Sequence, residues 1–152
     1  MIIAVDFDGT IVEHRYPQIG KKIPFAIETL KKLQVEHHQL ILWTVREGKQ
    51  LREAVEYCRS HGIVFSAVNN NIVPGLQEKM PCLSGQCKKI IADIFIDDRN
   101  VGGLPDWGLI YKMITEQLSY TELRNFMDGM DAHKKNGRWF RLKQLLCFWK
   151  KT

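Results

Sequence analysis

The sequence has no uninterrupted apolar run approaching the roughly 18 residues of a membrane span. Its N-terminus shows no basic region followed by a long apolar core, so no signal peptide is expected and the chain reads as cytoplasmic. No two of the four cysteines, Cys58, Cys82, Cys87 and Cys147, stand in a Cys-x-x-Cys pair, which argues against a zinc site. Reduced thiols are expected in such a chain. There is no internal repeat and no low-complexity segment. Acid is missing from one stretch alone: His133 to Thr152 holds seven Lys or Arg and no Asp or Glu. Subtracting those seven from the 22 basic residues leaves 15 against 17 acidic residues over 1–132, a formal charge of −2 for that part. The net charge of +5 therefore belongs to a tail, which excludes a basic nucleic-acid-binding body. With 45% hydrophobic and 26% charged residues over 152 positions, one globular domain with a real core is expected. The division is a core over 1–132 and a basic segment over 133–152.

Apolar runs alternate with helical patterns. Residues 2–6 read as a buried strand, and 11–23 as a loop. Pro24 suits the first turn of a helix reaching about residue 36. Leu40 to Thr44 is a second strand, and a helix follows from about 47 to 61, with Gly62 placed to end it. Residues 64–68 give a third strand, 69–87 a loop rich in Asn, Pro and Gly, and 90–96 a fourth strand. Alternation of this kind predicts an α/β fold with a parallel, doubly wound (Rossmann-like) sheet.

The strand ends carry the chemistry. Asp6-Phe7-Asp8-Gly9-Thr10 directly follows the first apolar run, Thr44 ends the second strand, and Asp97-Asp98 end the fourth. Lys88 and Lys89 come just before that fourth strand. In a parallel sheet these ends share one edge, where ligands bind. Carboxylates gathered there repel one another unless a cation binds, and a small set of hard oxygen ligands suits Mg²⁺. A lysine and a threonine hydroxyl nearby would hold phosphate oxygens.

In this order the motifs resemble those of the haloacid dehalogenase-like (HAD) phosphohydrolase superfamily, over roughly residues 1–105. The first motif is Asp-Phe-Asp-Gly-Thr, the second Thr44, the third a lysine at 88 or 89, and the fourth Asp97-Asp98. Leu42 to Gly48, Ala67-Val68-Asn69 and Ala92 to Arg99 are similar to a small bacterial and phage group of HAD-like hydrolases. The resemblance implies that Asp6 is a nucleophile forming an aspartyl-phosphate, and that Asp8 is the acid and then the base. It implies Mg²⁺ held by Asp6, the backbone carbonyl of Asp8 and Asp97, with Asp98 either a further ligand or a support behind the ligands. Thr44 would donate to a phosphate oxygen. Lys89, which abuts the strand, would neutralise the phosphoryl group, with Lys88 close behind. Gly9, Thr10, Arg46, Lys88 and Asn69 are the expected substrate contacts, with Tyr16, Glu47 and Asn71 near the entrance. Asp8 in its position resembles phosphatases and mutases. The segments 11–23 and 69–88 are too short for a cap domain, so a capless core is implied.

Plainer roles stand beside these. Thr44 can cap the next helix, the two lysines can be solvated, and Arg46 can contact phosphate or make a salt bridge. His37 and His38 read as surface residues, His61 as a complement to a helix C-terminus, and Trp43 and Trp107 as core or rim. In the tail, Trp139, Leu142, Leu145, Leu146 and Trp149 share one helical face, with basic residues mainly elsewhere. Such a helix can pack on the body or a second copy, lie on an anionic membrane, or bind nucleic acid. The function expected is a Mg²⁺-dependent phosphatase acting on a phosphomonoester. The alternatives are a phosphotransferase of the same family, or a membrane- or nucleic-acid-binding protein with a vestigial site.

Overall fold

A computed structural model describes residues 1–71, 89–119, 121, 122 and 125. Two compact units divide the chain, Met1–Tyr111 and Lys112–Thr152. The expected tail helix, its 132/133 boundary, Lys88, most of the 69–88 loop and three of the cysteines lie outside the described residues.

The first unit is built on four short parallel strands: β1 (Ile2–Val5), β2 (Gln39–Leu42), β3 (Ala67–Val68) and β4 (Ile94–Ile96). Their spatial order is β3-β2-β1-β4. Helix α1 (Ala26–Val35) connects β1 to β2, and α2 (Gly48–Ser60) connects β2 to β3. The register pairs Val5 with Leu42 on one side and with Ile96 on the other, so these three strands end side by side. The order reverses between β1 and β4, and a crevice opens at such a reversal in open α/β sheets.

Ile3, Ala4, Val5, Leu40, Ile41 and Leu42 are all buried, in keeping with the continuous apolar runs of parallel strands. Leu30 and Leu33 of α1 and Ala54 and Cys58 of α2 are buried with them. Cys58 is a free cysteine, and burial pushes its thiol up to about 12, which keeps it un-ionised and inert.

Several elements differ from the sequence expectation, β3 among them, which begins at Ala67 rather than 64. α1 begins at Ala26, because Phe25 adopts a left-handed conformation (φ 65°) and breaks continuity with Pro24. β4 begins at Ile94 rather than 90, because the Asp93 carboxylate, 2.7 Å from the Ile2 amide, accepts a bond in place of a ladder carbonyl. Ile90 and Ala92 nonetheless pack against Ala4, Ile41 and Ala67. A third helix, α3 (Trp107–Thr115), is absent from the expectation altogether. Its start is marked by Asp106, whose side chain accepts the Leu109 N–H at 2.8 Å in the manner of a helix N-cap.

Among the described residues, no helix is long and apolar enough to cross a membrane.

Candidate active site

The pentad after β1 folds into a tight turn closed by its own backbone. Gly9 N–H donates to the Val12 carbonyl at 2.7 Å, and the Ile11 and Val12 amides both donate to the Phe7 carbonyl. Gly9 has φ +87°, and a Cβ there would overlap the Asp98 carboxylate, 2.7 Å from its Cγ. Glycine is thus required both by conformation and by close approach. The segment continues as a flap, in which Glu13 N–H donates to Lys21 O and Ile23 N–H to Ile11 O.

The turn and the sheet reversal bring three carboxylates together. Asp6 N–H donates to the Ile96 carbonyl at 2.9 Å, fixing the end of β1 to the end of β4. One oxygen from each of Asp6, Asp97 and Asp98 lies within 4.8 Å of the others. The Asp6 carboxyl is pushed up to about 6, first by burial and then by the charges of Asp97, Asp98 and Asp8, against a lowering Phe7 backbone bond. Asp98 Oδ1 is buried without a hydrogen-bond partner. A buried carboxylate oxygen left unsatisfied beside two further carboxylates fits a cation. The donor set is oxygen throughout, which suits a hard ion.

Thr10 holds the cluster from behind. Its buried hydroxyl donates to Asp6 Oδ2 at 3.3 Å and accepts the Asp98 N–H at 3.0 Å, while its carbonyl accepts the Trp107 indole N–H at 3.1 Å. Thr10 is therefore a brace between two acids, and Gly9 N–H is spent inside the turn.

Thr44 follows β2 at the same edge. Asn69, at positive φ (49°), grips its peptide from both sides: Thr44 N–H donates to Asn69 Oδ1 and Asn69 Nδ2 donates to Thr44 O, each at 2.8 Å. Asn69 thus braces Thr44, with a bond at each end of its amide. The Thr44 Oγ1 atom accepts the Arg46 N–H at 3.3 Å, which leaves the hydroxyl hydrogen to donate elsewhere.

Arg46 takes the salt-bridge role. It is fully buried, with Nε 2.6 Å from Asp8 Oδ2 and Nη2 2.7 Å from Asp8 Oδ1. Nη1 and Nη2 also donate to the Pro17 and Gln18 carbonyls at 2.9 and 2.8 Å. Of the two roles expected for Arg46, the salt bridge is the one these contacts display. Hydrogen bonding to Asp8 pushes its already high pKa further up. Asp8 in turn lies outside the three-acid cluster, its carboxylate committed to Arg46.

Lys89 is exposed, and its carbonyl accepts Asn71 Nδ2 at 2.8 Å; Asn71 Oδ1 also accepts the Ile91 N–H, so Asn71 shapes the approach to β4. Tyr16 is exposed but lies with its ring centroid 5.3 Å from the Arg46 guanidinium. Trp107 is buried, in keeping with the core-or-rim expectation, and Phe7 is buried between the two acids it separates. An aromatic residue between two acids is the available signal for Phe7, and an apolar residue after the Asp106 cap is that for Trp107.

No protein-family profile matches the chain, and no curated protein sequence does. Among solved structures, a conserved protein coded by a locus of Bacteroides thetaiotaomicron is similar to it, with 58% sequence identity and a TM-score of 0.71. The match covers 81% of this chain and 96% of that one. Identity at that level across nearly the whole of the other chain means that the protein belongs to the family of this conserved Bacteroides protein.

Proposed function

We propose that the protein is a Mg²⁺-dependent phosphohydrolase of the HAD-like superfamily, with a doubly wound core and no large cap. The observation that carries this reading is the convergence of Asp6, Asp97 and Asp98 at the β1–β4 reversal, with the buried, unpartnered Asp98 Oδ1 among them. Those three side chains, with the Asp8 carbonyl, would hold Mg²⁺. The ion would neutralise negative charge on a phosphate ester so that a carboxylate can approach it.

The chain's own groups supply the rest. An Asp6 oxygen forms a bond to phosphorus as the bond from phosphorus to the ester oxygen breaks. Asp8, released from Arg46 and protonated from solvent, gives that proton to the departing oxygen, and later takes one from the water that hydrolyses the aspartyl-phosphate and releases phosphate. The Thr44 hydroxyl, held by the Asn69 clamp, donates to a phosphoryl oxygen. Lys89 adds positive charge at the same edge. Asp8 can serve as the acid only after its bidentate bond to Arg46 opens, so a step that loosens this pair precedes proton delivery.

The test is turnover of p-nitrophenyl phosphate with Mg²⁺. The Asp6→Asn chain should retain its circular dichroism spectrum and lose activity by more than about a thousandfold, as expected when an essential nucleophile is removed. Undiminished turnover in that variant would reject the proposal.

A further inference from the structure

Arg46 spends a buried charge on one carboxylate. Its guanidinium has no solvent exposure and lies with its Cζ 5.0 Å from the Phe7 ring centroid and 5.3 Å from that of Tyr16. Both oxygens of Asp8 are taken, at 2.6 and 2.7 Å, and the remaining bonds run to the Pro17 and Gln18 carbonyls. Burying a guanidinium is costly unless its donors are satisfied, and here protein atoms satisfy four of its five N–H groups. The bidentate, planar geometry fixes the direction of the carboxylate as well as its charge.

That direction matters because Asp8 is two residues from Asp6. An unrestrained carboxylate there would be drawn toward any cation held by Asp6, Asp97 and Asp98 and would become a further ligand. We propose that Arg46 is a positioning residue that keeps the Asp8 carboxylate out of the cation's shell, so that the shell stays at three acidic side chains and Asp8 is not spent as a metal ligand. The inference rests on the cation reading of the acid cluster given above. Arg46 also ties residues 16–18 to Asp8, so the near end of the flap and the acid are held by one side chain.

Cation affinity, measured by calorimetry with Mg²⁺ and by electron paramagnetic resonance with Mn²⁺, tests this without reference to turnover. Arg46→Met should tighten binding by about tenfold as Asp8 joins the shell, a change equivalent to about 1.4 kcal/mol. Loss of a positive charge would by itself also tighten binding, so the same substitution is made in an Asp8→Asn chain. There only that charge effect should remain, a clearly smaller tightening. Equal tightening in both backgrounds, or none in either, overturns the inference.

Arg46→Met empties a buried charge site and can fail to fold, so the unmodified chain supplies a second measurement. With ¹⁵N-arginine, the Arg46 Nε–H resonance should keep its position and its protection from exchange when Mg²⁺ saturates the site. Loss of that protection on Mg²⁺ addition would mean that Asp8 moves to the ion, and overturns the inference alone. A wild-type chain that binds neither Mg²⁺ nor Mn²⁺ overturns the cation reading, and this inference with it.

Discussion

Each acid in the site has a different guardian, and the differences decide what each can do. Asp6 faces two carboxylates and has its pKa raised from 3.8 to about 6; Asp98 keeps one oxygen unpartnered; Asp8 is gripped by Arg46. The Asp6 shift has a defined sign. Without a cation, its stabilising contribution is complete below the unfolded value of 3.8 and is lost as pH rises through about 6. Mg²⁺ binds the ionised form, so it opposes this loss. The melting temperature in EDTA should therefore fall between pH 5 and pH 7, and the gain on adding Mg²⁺ should be larger at pH 7.5 than at pH 5, in a fluorescence thermal-shift series. Gly9→Ala is expected to cost about 1–2 kcal/mol from the left-handed backbone alone. The overlap with Asp98 adds to that cost and should weaken Mn²⁺ binding in the same titration. The acid set is legible in the sequence because charge following an apolar run is a local pattern. The choice of Arg46 for Asp8 is not, because two of its partners are the carbonyls of Pro17 and Gln18, and a carbonyl leaves no mark on residue type.

At the scale of elements, each loop after a strand serves to fix a neighbour. Asn69, just after β3, holds the peptide at the end of β2, and Asn71 holds the residues leading into β4. Asn69→Asp keeps the acceptor for Thr44 N–H but sets an oxygen against the Thr44 carbonyl. It should cost about 1–3 kcal/mol in urea unfolding, in the range for a buried group left unsatisfied. α3 shows how an element escapes notice. Trp107, Ile110 and Ile114 give its apolar spacing and Asp106 its cap, but the helix is only nine residues long and follows a stretch rich in glycine. β3 and β4 read longer in the sequence than they are. Apolar content persists past the point where the ladder stops, as at Ile90, which is buried without being in a strand. Before β3, Val64 is exposed and its amide donates to Gln34 Oε1.

At the scale of the first unit, the Trp107 indole bonded to Thr10 O joins residues 97 apart in the chain, and it stands directly behind the acid cluster. Trp107→Phe should leave an unsatisfied carbonyl and lower stability by about 1–3 kcal/mol. Denaturant unfolding followed by far-UV circular dichroism would read this. The alternation of strands and helices makes the parallel sheet legible. The 3-2-1-4 order is a tertiary fact, since nothing local to Ile94–Ile96 states which neighbour it will take. That order also bears on how the chain folds. β1 meets β2 after a short crossover, but it must wait for β4, which arrives some ninety residues later with Asp97 and Asp98 at its tip. Closing so long a loop is slow, and this one closes onto like charge. Refolding at neutral pH should therefore be limited by docking of β4, and acid or a divalent ion should hasten it by screening the same carboxylates.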